Sequence, residues 1–394
     1  MSNTKKTKQK STIKRNNFYY RLLRPLIVLF VKIKFGYKYK KIKNLKQKAG
    51  GNYIVLSNHT TDYDMLFTAC SFKQPMYFVA SEHISRWGKL YKFLDYCFAP
   101  IMRYKGSVAS STVMEVLRRT RKGSNVCIFA EGVRSWDGET NEILSSTAKL
   151  VKSSNCALVT YKIVGGYMVS PNWSRKSLRK GPISGAPVNI YTKEQLASMT
   201  DEEVYNIIKT DLYENACERQ LKTLKPYKGK NLAEQLEYLM FKCSNCNATD
   251  SLKSKGDTVT CNSCGKTFKY SKYGMLVGCK YATTHEYNTW QKEQVKLDVS
   301  NNVTYSATSG VVSSIEKHTK TTITTGTINI NADGITCNDF NIPLNSITDM
   351  AIYGRNGIVF TAEGKYYELL PDEYINGLKF LYYYKEYINQ SKNK

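Results

Sequence analysis

The chain has 394 residues, 58 Lys+Arg against 32 Asp+Glu, a formal net charge of +26 and 42% apolar residues. That length implies two or three domains at ~150 residues each, and the apolar and charged fractions exclude a collagen, a disordered chain and a polytopic membrane protein. The basic excess points to an anionic partner, whether phosphates, nucleic acid or an acidic membrane surface, although the abundance of Lys, Asn and Tyr also fits an AT-rich genome.

The charge is unevenly placed. Residues 1–61 hold sixteen Lys or Arg and no acid, the first acid being Asp62. Met1 to Arg15 reads as a solvated basic tail. Leu22 to Phe35, LLRPLIVLFVKIKF, is different. Its longest apolar run, Pro25 to Val31, is too short for the ~20 residues of a spanning helix, and no small-residue cleavage site marks a signal peptide. The pattern predicts a short basic helix. Such a helix suits a membrane interface, its basic residues facing anionic headgroups, or packs as an ordinary amphipathic helix on its own domain. Pattern alone leaves both open. Residues 1–50 are expected to be the basic tail and this helix.

From Gly51 to about Tyr191, apolar runs alternate with helical patterns. Strands are predicted at Asn52 to Ser57, Met76 to Ala80, Asn125 to Ala130 and Ala157 to Ile163. Helices are predicted at Ser111 to Arg121, Glu142 to Lys152 and Glu202 to Leu221. This alternation predicts an α/β domain over residues 51–237, with a mixed, largely parallel sheet and flanking helices.

Eleven cysteines, an odd number, and no visible export signal argue against a disulfide framework. Cys243-Ser-Asn-Cys246 is followed, fourteen residues on, by Cys261-Asn-Ser-Cys264. Each pair makes a tight turn that aims two thiolates at one ion, so a structural zinc is expected on Cys243, Cys246, Cys261 and Cys264. The other seven cysteines read as small core residues. A zinc ribbon over 238–280 and a linker over 281–302 then precede a module over 303–394 rich in Thr, Val, Ile and Tyr. Turns at Asn331 to Gly334, Asn356-Gly357 and Glu363-Gly364 predict an antiparallel β module, closed by a helix from about Asp372 to Ile388. This strands-then-helix order resembles lipid-binding pleckstrin-homology-like modules.

In open α/β sheets, sites form beyond the carboxyl ends of strands. Asn58-His59-Thr60-Thr61-Asp62-Tyr63-Asp64 follows the first strand, Glu131-Gly132-Val133-Arg134-Ser135 follows the third, and Arg103 ends another apolar stretch. If Thr60 or Thr61 caps a helix, Asp64 sits one turn inside it and reaches back to His59. A carboxylate on one ring nitrogen fixes the tautomer and leaves the other nitrogen as a base. No serine of a nucleophile elbow accompanies the pair, so the base activates a hydroxyl brought by substrate.

These residues resemble the glycerolipid acyltransferases, especially the 1-acylglycerol-3-phosphate (lysophosphatidic acid) acyltransferases. The hallmark NHx4D is here Asn58, His59 and Asp64; the EGxRS-like block is Glu131, Gly132, Arg134 and Ser135; the apolar run ending in Arg is Phe98 to Arg103. The resemblance spans about residues 20–220. It implies that His59 deprotonates a lipid hydroxyl, that Asp64 orients His59, and that the hydroxyl attacks an acyl-CoA or acyl-carrier-protein thioester directly. It implies substrate-binding roles for Asn58, Arg103, Glu131, Gly132, Arg134 and Ser135, with both arginines on the acceptor's phosphate. It further implies a lysophospholipid acceptor, a place in phospholipid biosynthesis and a peripheral or monotopic location at the cytoplasmic face of an anionic membrane. The fourth block departs from the family, since Leu158 to Lys162 lacks its Val-Pro, and a glycine is missing before Phe98. A lipid-linked sugar is therefore the alternative acceptor. A zinc-ribbon adaptor at nucleic acid or membrane is the alternative class. Between Cys243 and Cys264 the only bases, Lys253 and Lys255, are opposed by Asp250 and Asp257, which disfavours nucleic acid.

Overall fold

The computed structural model describes residues 2–103, 109–174, 177–316, 319–371 and 376–392. They form two compact units. Unit one takes residues 2–103, 109–171 and 179–228; unit two takes 172–174, 177–178 and the described residues from 229 onward.

Unit one begins with helix α1 (Ser2–Phe35), edge strand β1 (Lys38–Tyr39) and one helical turn, α2 (Leu45–Lys48). Alternation follows: β2 (Tyr53–Ser57), α3 (Asp64–Ser71), β3 (Met76–Ser81), α4 (Lys89–Phe98), β4 (Ile101–Arg103), α5 (Ser110–Thr120), β5 (Asn125–Phe129), α6 (Ser146–Ser153) and β6 (Ala157–Val164). The unit ends with α7 (Gly166–Val169), β7 (Ser184–Tyr191), α8 (Lys193–Ser198), α9 (Asp201–Leu212) and α10 (Ala216–Thr223).

The sheet order is β1-β7-β6-β2-β5-β3-β4. Strands β6 to β4 run parallel, and β7 runs against β6 with β1 alongside it. The sheet is mixed and largely parallel, as the alternation predicts. Alternate residues of β2 serve two cores. Tyr53 and Val55 meet Tyr20 and Val31 of α1 and Phe67 of α3; Ile54 and Leu56 meet Val116 of α5, Val151 of α6 and Ile208 of α9. Burial on both faces is why the strand reads as one continuous apolar run.

Two predicted helices change. The one expected over Glu202 to Leu221 is two, α9 and α10, because Asn215 accepts from Cys217 N and Glu218 N and caps a new helix. The one expected from Glu142 starts only at Ser146, since Ile143 is buried in the core ahead of it.

Helix α1 is longer than Leu22 to Phe35; Tyr20, Ile27, Val28, Val31 and Phe35 face the core, and one arginine joins them. Arg24 points inward, its Nε donating to Ala69 O (2.9 Å) and Phe72 O (2.8 Å) and its Nη2 to Cys70 O (2.5 Å). Tyr20 OH donates to Phe72 O at 3.1 Å. The end of α3 leaves such carbonyls without intrahelical partners, and a cation there also opposes the negative end of the helix dipole. The expectation that the basic residues of this helix face headgroups therefore fails for Arg24. Outward stand Phe18, Leu22, Leu26, Leu29, Phe30 and Ile33, 43–77% exposed. Their three- and four-residue spacing makes one stripe. Helix α4 lies alongside, with Arg15 4.1 Å over the Tyr96 ring, and exposes Leu90 and Phe93. Among the described residues no helix is long and apolar enough to cross a membrane.

Unit two starts at 229, ahead of the expected ribbon, because Leu232 N donates to Asp257 Oδ1 (2.6 Å), Ala233 N to Gly256 O (3.0 Å) and Gln235 N to Ser254 Oγ (2.7 Å). The ribbon sheet, β8 (Leu252–Lys255), β9 (Thr258–Cys261), β10 (Thr267–Tyr270) and β11 (Leu276–Val277), is antiparallel. The expected linker 281–302 is instead helix α11 (Thr284–Ser300), capped by Thr283 Oγ1 on Glu286 N. Then come β12 (Tyr305–Glu316), β13 (Thr319–Ile330), β14 (Ile335–Cys337), β15 (Phe340–Ile342), β16 (Ile347–Tyr353), β17 (Gly357–Ala362), β18 (Lys365–Pro371) and α12 (Leu378–Lys392). Their order, β15-β14-β13-β12-β18-β17-β16, is two antiparallel meanders joined where the first strand pairs with the last. This order and the terminal helix keep the resemblance to pleckstrin-homology-like modules. Glu363 (φ 51°) and Gly364 (φ 74°) make the predicted hairpin turn between β17 and β18.

Arg24→Gln should destabilise unit one by about 1–3 kcal/mol by orphaning these carbonyls. Amide exchange followed by mass spectrometry should accelerate in α1 and the end of α3; unchanged exchange there would show that the carbonyls do not depend on Arg24.

Candidate active site and metal centre

The carboxyl ends of β6, β2 and β5 adjoin in the sheet, and the loops that follow them build one site. Strand β2 lies where the chain order reverses, the usual place for a site in an open α/β sheet. The turn after β2 is organised by Asp64. Its Oδ2 accepts from His59 Nδ1 (2.9 Å), Thr60 N (2.5 Å) and Thr61 N (3.0 Å), and its Oδ1 from Thr60 Oγ1 (3.1 Å) and Thr61 Oγ1 (2.8 Å). Asp64 is 1% exposed and His59 22%. The capping relation is the reverse of the expected one: Asp64 opens α3 and gathers Thr60 and Thr61, rather than sitting a turn inside a helix that they cap. The His59 ring stacks on Phe129, centroids 4.6 Å apart.

Glu131 holds the same turn from the other side. Its Oε1 accepts from His59 N (2.6 Å), and its Oε2 from Asn141 N (2.6 Å) and Asn141 Nδ2 (3.0 Å). Burial pushes its carboxyl up to about 8, against the donors from Asn141 and His59 that pull it down. Ser135 N donates to His59 O at 3.0 Å.

The remaining expected site residues divide. Arg134 Nη1 lies 3.1 Å from Asp62 Oδ2, a carboxylate that is itself 67% exposed. Gly132 has φ 68°, which favours glycine, and a Cβ there would meet nothing within 4 Å. Arg103 ends β4 on the same edge, but three strands from β2, roughly 14 Å along the sheet at ~4.8 Å per strand. Asn58 and Ser135, expected to touch substrate, are buried. Asn58 Nδ2 donates to Ile163 O (2.9 Å) and its Oδ1 accepts from Ile163 N (2.8 Å), while Ser135 Oγ accepts from Gly138 N (2.9 Å). Both act as loop ties. Phe129, Asn141 and Gly166 were not picked out from sequence. A Cβ on Gly166 would stand 2.2 Å from Thr60 Oγ1, and nothing in the local sequence signals that approach.

In unit two the four expected thiols converge. The sulfurs of Cys243, Cys246, Cys261 and Cys264 all lie within 4.8 Å of one another. The distances Cys243–Cys264 (3.8 Å) and Cys246–Cys261 (3.7 Å) are far beyond a disulfide bond and match the ~3.8 Å edge of a tetrahedron with zinc–sulfur bonds of ~2.3 Å. The donor set fits zinc. Both knuckles close alike: Asn247 N donates to Cys243 O (2.8 Å) and Gly265 N to Cys261 O (2.9 Å), with φ 61° and 72°. Asn245 N points at Cys243 Sγ, 3.5 Å away. Four thiolates would leave a zinc no open position, which fits a structural role.

Residues 37–164 match the family model described as Acyltransferase. Among solved structures the chain is similar to the 1-acyl-sn-glycerophosphate (LPA) acyltransferase PlsC from Thermotoga maritima, with 17% identity, covering 52% of this chain and 81% of that one, at a TM-score of 0.42. Comparison with curated proteins finds no match.

Glu131→Gln should turn an amide NH2 toward Asn141 N or His59 N, donor against donor, and loosen the His59 turn. The sign of its pH dependence follows from the raised folded-state pKa. The native carboxyl's contribution is fully present below the ordinary 4.5 and is lost as pH rises through about 8. The Tm difference between wild type and Glu131→Gln should therefore shrink from pH 5 to pH 8.5; a flat difference would contradict the burial of Glu131. Elemental analysis should find one zinc per chain, and a Cys261→Ser/Cys264→Ser protein should lose the metal and unfold unit two at lower temperature. Metal-free wild-type protein of normal stability would rule the centre out.

Proposed function

We propose that this chain, whose residues 37–164 are an acyltransferase domain, moves a fatty acyl group from an acyl thioester on CoA or acyl-carrier protein to the free hydroxyl of a lysophospholipid, with 1-acylglycerol-3-phosphate as the acceptor. The reading is carried by the His59–Asp64 pair at the head of β2, beside serines engaged elsewhere. Ser57 Oγ donates to Asn58 O (3.1 Å) and Ser135 Oγ accepts from Gly138 N (2.9 Å). The base therefore acts on a hydroxyl that arrives with the substrate.

His59 Nε2 takes the acceptor's hydroxyl proton as the oxygen attacks the thioester carbonyl. A C–O bond forms, the tetrahedral intermediate expels the thiolate with cleavage of the C–S bond, and the imidazolium returns the proton to sulfur. Asp64 on Nδ1 holds the tautomer and stabilises the imidazolium. Arg134 exchanges the exposed Asp62 carboxylate for the acceptor's phosphate, which its planar fork grips better than an ammonium would. Arg103 contacts the same headgroup from farther along the edge.

The altered fourth block does not favour a different acceptor. Thr160 Oγ1 donates to Asp211 (2.7 Å), and Tyr161 OH lies within hydrogen-bond distance of Ser71 (2.7 Å) and Tyr37 (2.9 Å). Both side chains are buried, so the change belongs to core packing.

Acceptor and product are lipids, so the enzyme works on a bilayer. The outward stripe of α1 enters the acyl boundary, and the exposed lysines that follow it, Lys32, Lys34 and Lys38, meet anionic headgroups. This is peripheral attachment at the cytoplasmic face.

Incubation with labelled acyl thioester and a panel of lysolipids, followed by extraction, tests the chemistry. Diacyl product is expected, strongest with the phosphorylated acceptor. His59→Ala should lose about 10²–10⁴-fold, and Asp64→Asn a comparable factor. Turnover by His59→Ala, or a trapped acyl-enzyme, would overturn the mechanism. Leu26→Asp/Ile33→Asp should leave the vesicle pellet for the supernatant while keeping its activity on detergent-dispersed lipid; continued pelleting would place the attachment elsewhere.

A further inference from the structure

We propose that Asn141, which lies outside every block of the sequence resemblance, is a positioning residue that sets the His59 turn and the Arg134 loop relative to each other. The proposal rests on the reading of His59 as the base and Arg134 as the phosphate ligand. The chain between β5 and α6 closes on itself, and the closure is made by Glu131 and Asn141. Asn141 N donates to Glu131 Oε2 at 2.6 Å, and Asn141 Nδ2 donates to the same oxygen at 3.0 Å. Arg134 is carried on the chain between them.

A primary amide carries two N–H groups, and Asn141 Nδ2 has two acceptors: Glu131 Oε2 and, at 3.2 Å, Val133 O. Each acceptor leads to a different functional residue. The other oxygen of the buried Glu131 carboxyl takes His59 N at 2.6 Å. Fixing Oε2 therefore fixes the rotation of the group that holds the backbone of the base. The Val133 carbonyl shares a rigid peptide plane with Arg134 N. Fixing that oxygen therefore orients the residue that bears the guanidinium. One side chain thus serves both functional residues, and neither a serine hydroxyl nor an ionised carboxylate at 141 supplies the two donors.

Asn141 can position its neighbours because its own backbone is anchored. Thr140 N donates to Glu214 O and Glu214 N donates to Thr140 Oγ1, both at 2.9 Å, and Glu139 bridges Asn215. These partners follow directly on α9, whose Ile208 and Leu212 share a core with Ile54 and Leu56 of β2. The loop is therefore tied to the same core as the strand that delivers His59.

The test has two arms, both on the full-length protein. Amide exchange with mass spectrometry needs no substrate. In Asn141→Ala, peptides spanning 58–64 and 131–136 should exchange about tenfold faster than in wild type, as the loss of two hydrogen bonds allows, while 53–57 and 112–120 stay unchanged. Asn141→Ser, which keeps one donor on a shorter side chain, should move the same peptides less, and it carries the test should Asn141→Ala fail to fold. In transfer assays on either variant, kcat should fall for every acceptor, through His59. KM should rise at least about fivefold for a phosphorylated lysolipid and stay unchanged for its unphosphorylated counterpart, through Arg134. Exchange at 58–64 and 131–136 as in wild type would overturn the proposal, and so would equal KM changes for the two acceptors. Faster exchange at both peptides, with no acyl transfer by the wild type, would uphold the positioning and refute the assigned chemistry instead.

Discussion

Five donors converge on one carboxylate. Asp64 draws in the His59 ring, two backbone amides and two threonine hydroxyls, and by doing so turns the chain sharply between the end of β2 and the start of α3. A buried anion is tolerable only when it is hydrogen-bonded on all sides, and here the partners are the turn itself. Neighbouring elements then brace that turn. Glu131 takes the His59 amide, Phe129 supports the ring, and Ser135 N closes on the His59 carbonyl. Helix α1 secures the far end of α3 through Arg24 and Tyr20. The His59–Asp64 pair is thus set within its own turn and braced from outside by Glu131, Phe129 and Ser135.

The central strands, the dyad and the four thiolates were legible because each rests on local chemistry. An apolar run predicts a buried strand, NHx4D places a carboxylate within reach of an imidazole, and paired CxxC turns aim at one ion. Side-chain roles set by distant packing were not legible. Asn58 belongs to the motif yet bonds to Ile163, 105 residues away; Asn141 anchors Glu131 with no motif to announce it. The linker that proved to be α11 was missed because its inward face, Tyr287, Asn288 and Gln291, is only weakly apolar. What makes that face buried is the backbone it serves: Gln291 Oε1 accepts from Phe241 N and Lys242 N beside the first zinc knuckle.

Helix α1 shows a deeper limit of periodicity. A stripe of arginines and a stripe of leucines establish that a helix is two-faced, but not which face is inside. Here the inside faces α3, whose terminal carbonyls take donors from Arg24 and Tyr20. Arg24 shares the inner face with Val31, Ile27 and Val28, and Leu22, Leu26, Leu29 and Ile33 face outward. Leaving that much apolar surface in water forgoes about 25 cal/mol for each Å², a loss that a lipid surface recovers. The same face that completes α3 therefore leaves the opposite stripe of α1 exposed.

Unit two bears on the class of partner in a similar way. Two bases beside the ribbon, Lys242 and Lys379, turn inward, while Lys255, Lys266, Lys269, Lys272 and Lys280 of the ribbon itself are exposed. Lys242, next to Cys243, pairs with Asp298 (2.7 Å), which also accepts from Tyr305 OH (2.5 Å). Lys379 of α12 pairs with Asp250 and donates to Ser306 O. These two buried cations are not available to phosphates. Here they join knuckle, α11, β12 and α12 into a single polar core, with Tyr287 OH bridging Ser244 N and Lys242 O. Breaking any buried pair by removing one partner strands a charge, so the ribbon and the β module hold or fail together. A metal held by the four cysteines would then stabilise more than its own knuckles.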